Sequence, residues 1–85
     1  MGSYADDVCM SRGRVPNALS LKFGKKIRAL RKKKNWIQAD MSAHTGIERG
    51  HISEIECGKR VVNLLTLQTL AACFDMSMSA LLKGL

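Results

Sequence analysis

Two histidines and seven acidic residues, scattered over 85 positions, are too few and too dispersed to assemble a Ser-His-Asp group, a paired-carboxylate site or a metal-ligand set. The expectation is a protein that is not an enzyme, with no metal site and no cofactor. Aromatic residues are only 5% of the chain, and Trp36, Phe23 and Phe74 fall at core positions while Tyr4 lies in the leading segment. No platform is left for stacking unpaired bases, which makes RNA a poor partner. No apolar run approaches the ~20 residues that span a bilayer, and the start of the chain lacks the apolar stretch of a secretion signal. A cytoplasmic protein with no membrane partner is expected. Cys9, Cys57 and Cys73 are odd in number and show no paired spacing, so reduced thiols are expected rather than a disulfide framework or a zinc site. Strand alternation, internal repeats and low-complexity tracts are absent.

What the chain does have is helical periodicity and positive charge. Fourteen lysines and arginines give a net charge of +7, which favours a polyanionic partner. Residues 1–17 mix Gly, Ser, Asp and Arg without a helical period, and Pro16 blocks a helix from running back through them, so they read as a flexible N-terminal tail. Residues 18–85 read as one domain. Asn17 or Ser20 is suited to cap a first helix that carries Phe23, Ile27 and Leu30 and stops near Asn35, a residue tolerant of left-handed backbone. A second helix is expected over about 37–44 and a third over about 49–57. Asn63 and Ser77 are caps for a fourth and a short fifth. Five such helices bury Phe23, Ile27, Leu30, Trp36, Met41, Ile47, Ile52, Ile55, Leu67, Leu70, Phe74 and Leu81 in one cluster.

The second and third helices are hinged at Gly46, a residue free to take the left-handed conformation just past a helix end. Met41 and Thr45 share a face before the hinge, and Ile52 and Ile55 share one after it. Ser42 stands where the two helices approach most closely and is small enough to allow it. Gly58 ends the third helix, and Lys59 and Arg60 follow at its negative dipole end.

This segment resembles the helix-turn-helix of the phage-repressor and Cro family of bacterial transcriptional regulators, also called XRE-like. The resemblance runs from about Phe23 to Leu82, through 27–31, Gln38, Gly46 and Ile47, 52–56, 58–60, Leu64, Thr66, Leu67, Leu70, Ala71, Ser77, Leu81 and Leu82. It implies an all-α, five-helix, lambda-repressor-like DNA-binding domain whose second and third helices form the helix-turn-helix.

A helix laid in the major groove presents its first turn to base edges, here Glu48, Arg49 and Gly50, with Ser53 and Glu54 on the next. Arg49 is suited to grip guanine O6 and N7 with two hydrogen bonds, worth roughly 1–3 kcal/mol of discrimination. Glu54 has two readings, accepting from cytosine N4 or pairing with a nearby cation. Gly50 lets the backbone come close. Phosphate contacts are expected from His51, Lys59 and Arg60, although compensation of the helix dipole also accounts for the last two. The resemblance implies that Gln38 bonds a phosphate and that Arg31 reaches Glu56, tying the first helix to the third. Arg31, Gly46, Glu56 and Gly58 are thus expected to be structural. The basic run 22–34 reads as mostly a solvated helix face.

Three departures from the family pattern stand out. Ile37 and Glu48 replace the usual Ser or Thr caps, at a cost of ~1 kcal/mol each, and Asp75 stands where a glycine commonly ends the fourth helix. Glu48 is open between reading cytosine, repelling the duplex and being held by Arg49.

The expectation is a sequence-specific binder of double-stranded DNA, repressor-like, acting as a homodimer on an inverted repeat with half-site centres about 34 Å apart. Apolar residues near the C-terminus, Leu65, Met76, Met78, Leu82 and Leu85, suit a dimer interface. A restriction-modification controller, a phage-type repressor and an antitoxin all fit a regulator of this size. The antitoxin is the alternative of a different class, because it neutralises a toxin partner.

Overall fold

The computed structural model describes residues 18–85. Among them are five α-helices and no strand: α1 (Ala18–Lys33), α2 (Gln38–Thr45), α3 (Arg49–Glu56), α4 (Leu64–Cys73) and α5 (Met78–Leu82). The expected tail, with Tyr4, Cys9 and Asn17, lies outside the described residues. Ser20 is not the cap of α1, because the helix is already under way at Ala18 and carries Ser20 in its first turn.

The helix ends follow from local chemistry. Asn63 Oδ1 accepts from the Thr66 N–H at 2.8 Å, and Ser77 Oγ accepts from the Ala80 N–H at 3.0 Å. Each satisfies one of the backbone donors that a first turn leaves without an intrahelical acceptor. Past the end of α1, Asn35 takes φ 61°, and the Trp36 N–H returns to the Arg31 carbonyl at 3.2 Å. α4 ends the same way: Asp75 takes φ 57°, and the Met76 N–H returns to the Ala71 carbonyl at 2.9 Å. Asn and Asp are the side chains that tolerate this left-handed region best, so Asp75 performs the turn that a glycine commonly makes.

α1 lies along α3, α2 packs on both α3 and α4, and α5 closes against α4. The shared core is Phe23, Ile27, Met41, Ile52, Ile55, Leu67, Leu70, Ala71, Phe74 and Leu81. Leu30, Trp36 and Ile47, expected inside it, are only partly buried against its edge. Trp36 instead stacks on His44, with ring centroids 4.4 Å apart and planes 15° from parallel, and Lys34 sits over the indole. Of the C-terminal apolar residues, Met76, Met78 and Leu85 pack against the core, whereas Leu65 and Leu82 are exposed.

Two contacts pin α1 to distant parts of the chain. Lys26 Nζ donates to the carbonyls of Ala80 and Lys83, at 3.0 and 2.8 Å, and so caps α5; this member of the basic run is not a free surface charge. Gly24 is buried against the end of α3.

Cys73 is a free thiol whose pKa is pushed up by burial, while Cys57 is disulfide-bonded. The expectation of uniformly reduced cysteines is therefore corrected at Cys57. No helix among the described residues is long and apolar enough to cross a membrane.

Candidate nucleic-acid interface

The turn between α2 and α3 is held by its own side chains. Gly46 takes φ 78°, and its N–H donates to the Ser42 carbonyl at 2.8 Å. Ser42 Oγ donates to the Ile47 carbonyl at 2.6 Å, so this serine stitches the turn as well as being small. Thr45 Oγ1 donates to the Met41 carbonyl and accepts from the Ile47 N–H, at 2.8 and 3.1 Å. With backbone and hydroxyl groups satisfied in this way, the angle between the helices is fixed.

α3 is thereby aimed outward. Ile52 and Ile55 are fully buried on its inner side, and Glu48, Arg49 and Gly50 at its leading edge are exposed. Glu48 precedes the helix with no side-chain cap, so the first-turn N–H groups, at the positive end of the dipole, have no acceptor from this residue. A side-chain carbon added at Gly50 would meet nothing within 4 Å, so nothing inside the described chain requires glycine there. His51 and Ser53 are half-buried on the following positions.

Behind this edge runs a polar chain. Arg31 Nε donates to Glu56 Oε2 at 2.7 Å and its Nη2 to Glu56 Oε1 at 3.0 Å, a two-point ion pair between side chains 9% and 3% exposed. Arg31 Nη1 donates to the Trp36 carbonyl at 2.8 Å. The expected contact between Arg31 and Glu56 is present. Glu56 Oε1 also accepts from Gln38 Nε2 at 3.1 Å. One amide hydrogen of Gln38 is therefore used internally, and the other remains for an outside acceptor. At the start of α2, Ile37 offers no acceptor for the first turn, but Asp40 reaches back to accept from the Ile37 N–H at 2.9 Å. This recovers half of the reciprocal cap that Ser or Thr would complete.

At the far end of α3, Gly58 takes φ 77° and the Lys59 N–H returns to the Glu54 carbonyl at 2.9 Å, turning the chain away. Arg60 then folds back onto Glu54: its Nε donates to Glu54 Oε1 at 2.8 Å, and its Nη2 donates to the same oxygen. These hydrogen bonds hold the Glu54 carboxyl below its ordinary pKa, with further help from the charges of Arg60, Lys59 and His51. Of the two sequence readings of Glu54, the free chain adopts the pairing with a cation.

The structure thus places Arg49, Gly50, His51, Ser53 and Glu54 on α3, with Glu48 just ahead of its first residue, Gln38 beside it and Lys59 and Arg60 past its end. Sequence reasoning missed Gly24, whose place in the middle of a helix was the available signal. It also missed the link from Gln38 to Glu56, for which neither residue carries a local cue.

Comparisons with known proteins agree with this geometry. A family model described as a helix-turn-helix domain matches residues 24–84. The control protein C.MunI from Mycoplasma sp is similar at 33% identity over 70 residues, which take in 81% of this chain and 95% of that protein. Among solved structures, the restriction-modification controller protein C.AhdI from Aeromonas hydrophila superposes with a TM-score of 0.73 at 31% identity, covering 76% of this chain and 98% of its own. The hypothetical transcription factor NHTF from Neisseria, at TM-score 0.71 and 21% identity over 87% of each chain, shares the fold.

Proposed function

Because the chain belongs to the helix-turn-helix family of DNA-binding transcriptional regulators, a class without enzymatic activity, we propose that it is a repressor-like regulator binding an inverted-repeat operator as a homodimer. The observation that carries this reading is the uncovered leading edge of α3, held outward by buried Ile52 and Ile55. Two-fold symmetry then places half-site centres about 34 Å apart. Val61, Leu64, Leu65 and Leu82 are large apolar side chains left exposed, which supports a partner copy covering them. Similarity to two control proteins favours restriction-modification control over the toxin-neutralising alternative. The same reading places the protein at the DNA in a bacterial cytoplasm.

In this reading Arg49, with Glu48, Gly50 and Ser53, faces base edges, Gln38, His51 and Lys59 face phosphates, and Glu54 and Arg60 at the end of α3 are paired with each other in the free chain. Selection of bound sites from random duplexes tests it directly. An enriched inverted repeat is the expected result, and enrichment of no sequence at low salt counts against it. Arg49→Ala should relax preference at one base pair per half-site, lowering discrimination there by roughly 1–3 kcal/mol. Identical selection profiles for wild type and Arg49→Ala would remove Arg49 from the reading role. Lys59→Ala should weaken all sequences alike and make the salt dependence shallower by about 0.9 in log–log slope. An unchanged slope would mean that Lys59 touches no phosphate.

A further inference from the structure

Arg60 lies where a basic side chain is expected on the duplex backbone, yet one of its two forked edges, Nε with Nη2, is already occupied. An arginine recognises a phosphate best through two parallel N–H groups, and here both Nε and Nη2 are spent on one oxygen of Glu54. The pair is open to water, with side chains 46% and 43% exposed, and it joins the last turn of α3 to the loop that follows. Exposed pairs of this kind are weak, so a phosphate is able to compete for this edge by displacing the carboxylate, while the Nη1 side of the guanidinium keeps donors of its own, with its charge partly compensated by Glu54. The carboxylate also carries negative charge on the face that approaches the duplex. Lys59 and His51 are the other cationic groups near Glu54, and the hydrogen bonds to its carboxylate come from Arg60.

We propose that Glu54 acts as a brake on sequence-independent binding by holding the Arg60 guanidinium off the phosphates of non-cognate DNA. The inference rests on the DNA-binding reading above and adds a specificity-determining residue that reads no base. Lys59 then supplies the sequence-independent contact at this end of α3, while Arg60 stays withheld. Discrimination between operator and bulk DNA improves, because the weaker the non-cognate binding, the larger the ratio between the two.

The test is a double-mutant cycle on short duplexes of random sequence, measured as affinity against salt for wild type, Glu54→Gln, Arg60→Ala and the double variant. Wild type and Arg60→Ala should share the same salt slope. Glu54→Gln should bind more tightly, with a slope steeper by about 0.9, the signature of one additional neutralised phosphate. Removing a negative charge strengthens binding by itself, so the decisive quantity is the dependence on Arg60. The gain from Glu54→Gln should be roughly two- to fivefold larger with Arg60 present than with alanine in its place. Equal gains in both backgrounds would overturn the brake and leave simple charge repulsion. Weaker binding by Glu54→Gln would also overturn it, by showing that the carboxylate positions Arg60 for the phosphate. If every protein in the cycle ignores duplexes at low ionic strength, the DNA-binding reading itself fails, a result distinct from either of these.

Discussion

Gly24→Ala should lower the midpoint of thermal unfolding by roughly 12–24 °C, corresponding to a loss of about 3 kcal/mol in a domain of this size. Alanine is the better helix former, and the exchange would gain up to ~1 kcal/mol on an exposed surface. Here the added carbon would stand 2.6 Å from the Glu56 carbonyl oxygen, and the Ile55 carbonyl oxygen is closer still. Both are backbone atoms at the C-terminal end of α3, so no flexible side chain can swing aside. Relief requires α1 and α3 to separate, and that opens the core at Ile27, Ile52 and Ile55, each almost completely buried. Stabilities of small domains are only ~5–15 kcal/mol, so the substitution removes a large fraction of the total. Thermal unfolding followed by circular dichroism reads this directly; a midpoint within a few degrees of wild type would show that the helices part at little cost. Gly50→Ala is the matched control. It adds the same carbon to a helix where nothing lies within 4 Å, and should leave stability equal or slightly improved.

Glu56→Ala should cost ~3–5 kcal/mol, because it leaves the Arg31 guanidinium buried with only the Trp36 carbonyl as acceptor. Arg31→Met should cost a similar amount by stranding the carboxylate, to which Gln38 alone would still donate. The informative variant is the pair. Replacing both residues, Arg31→Met with Glu56→Leu, removes two desolvated charges together and should recover most of the loss, since hydrophobic replacements of buried ion pairs are often neutral. Denaturant unfolding of the singles and the double measures the coupling. A double variant as unstable as the sum of the singles would mean that Arg31 and Glu56 act through packing rather than through each other. DNA binding offers a second readout: Gln38 loses its anchor when Glu56 is removed, so affinity should fall across all sequences even in a folded variant.

The helices themselves were legible because their signals are local. Asn63 and Ser77 cap where their chemistry predicts, and Gly46 and Gly58 take left-handed backbone at the ends of α2 and α3. The core positions on α1 and α3 follow from a repeat of three to four residues. The contact between Arg31 and Glu56, 25 positions apart, was legible only through family resemblance. Composition and spacing alone carry no sign of it.

The candidate interface was legible in outline and incomplete in chemistry. Which residues line α3 follows from where the helix starts. How they engage one another does not, because hydrogen bonds are made across space. The polar line from Arg31 through Glu56 to Gln38, and the hold of Glu54 on Arg60, decide which donors remain for an outside partner.

By itself the sequence determined the all-α class, the number and order of the helices in residues 18–85, and the hinge at Gly46, all of which depend on neighbours within about one helical turn. Only the tertiary structure decided that Gly24 is a point of contact, that Lys26 caps α5, that Trp36 sits at the core's edge, and that Arg60 is paired. The physical reason is range. Capping and periodicity are written in adjacent residues, whereas close approach and pairing depend on distances that exist only once the helices have packed.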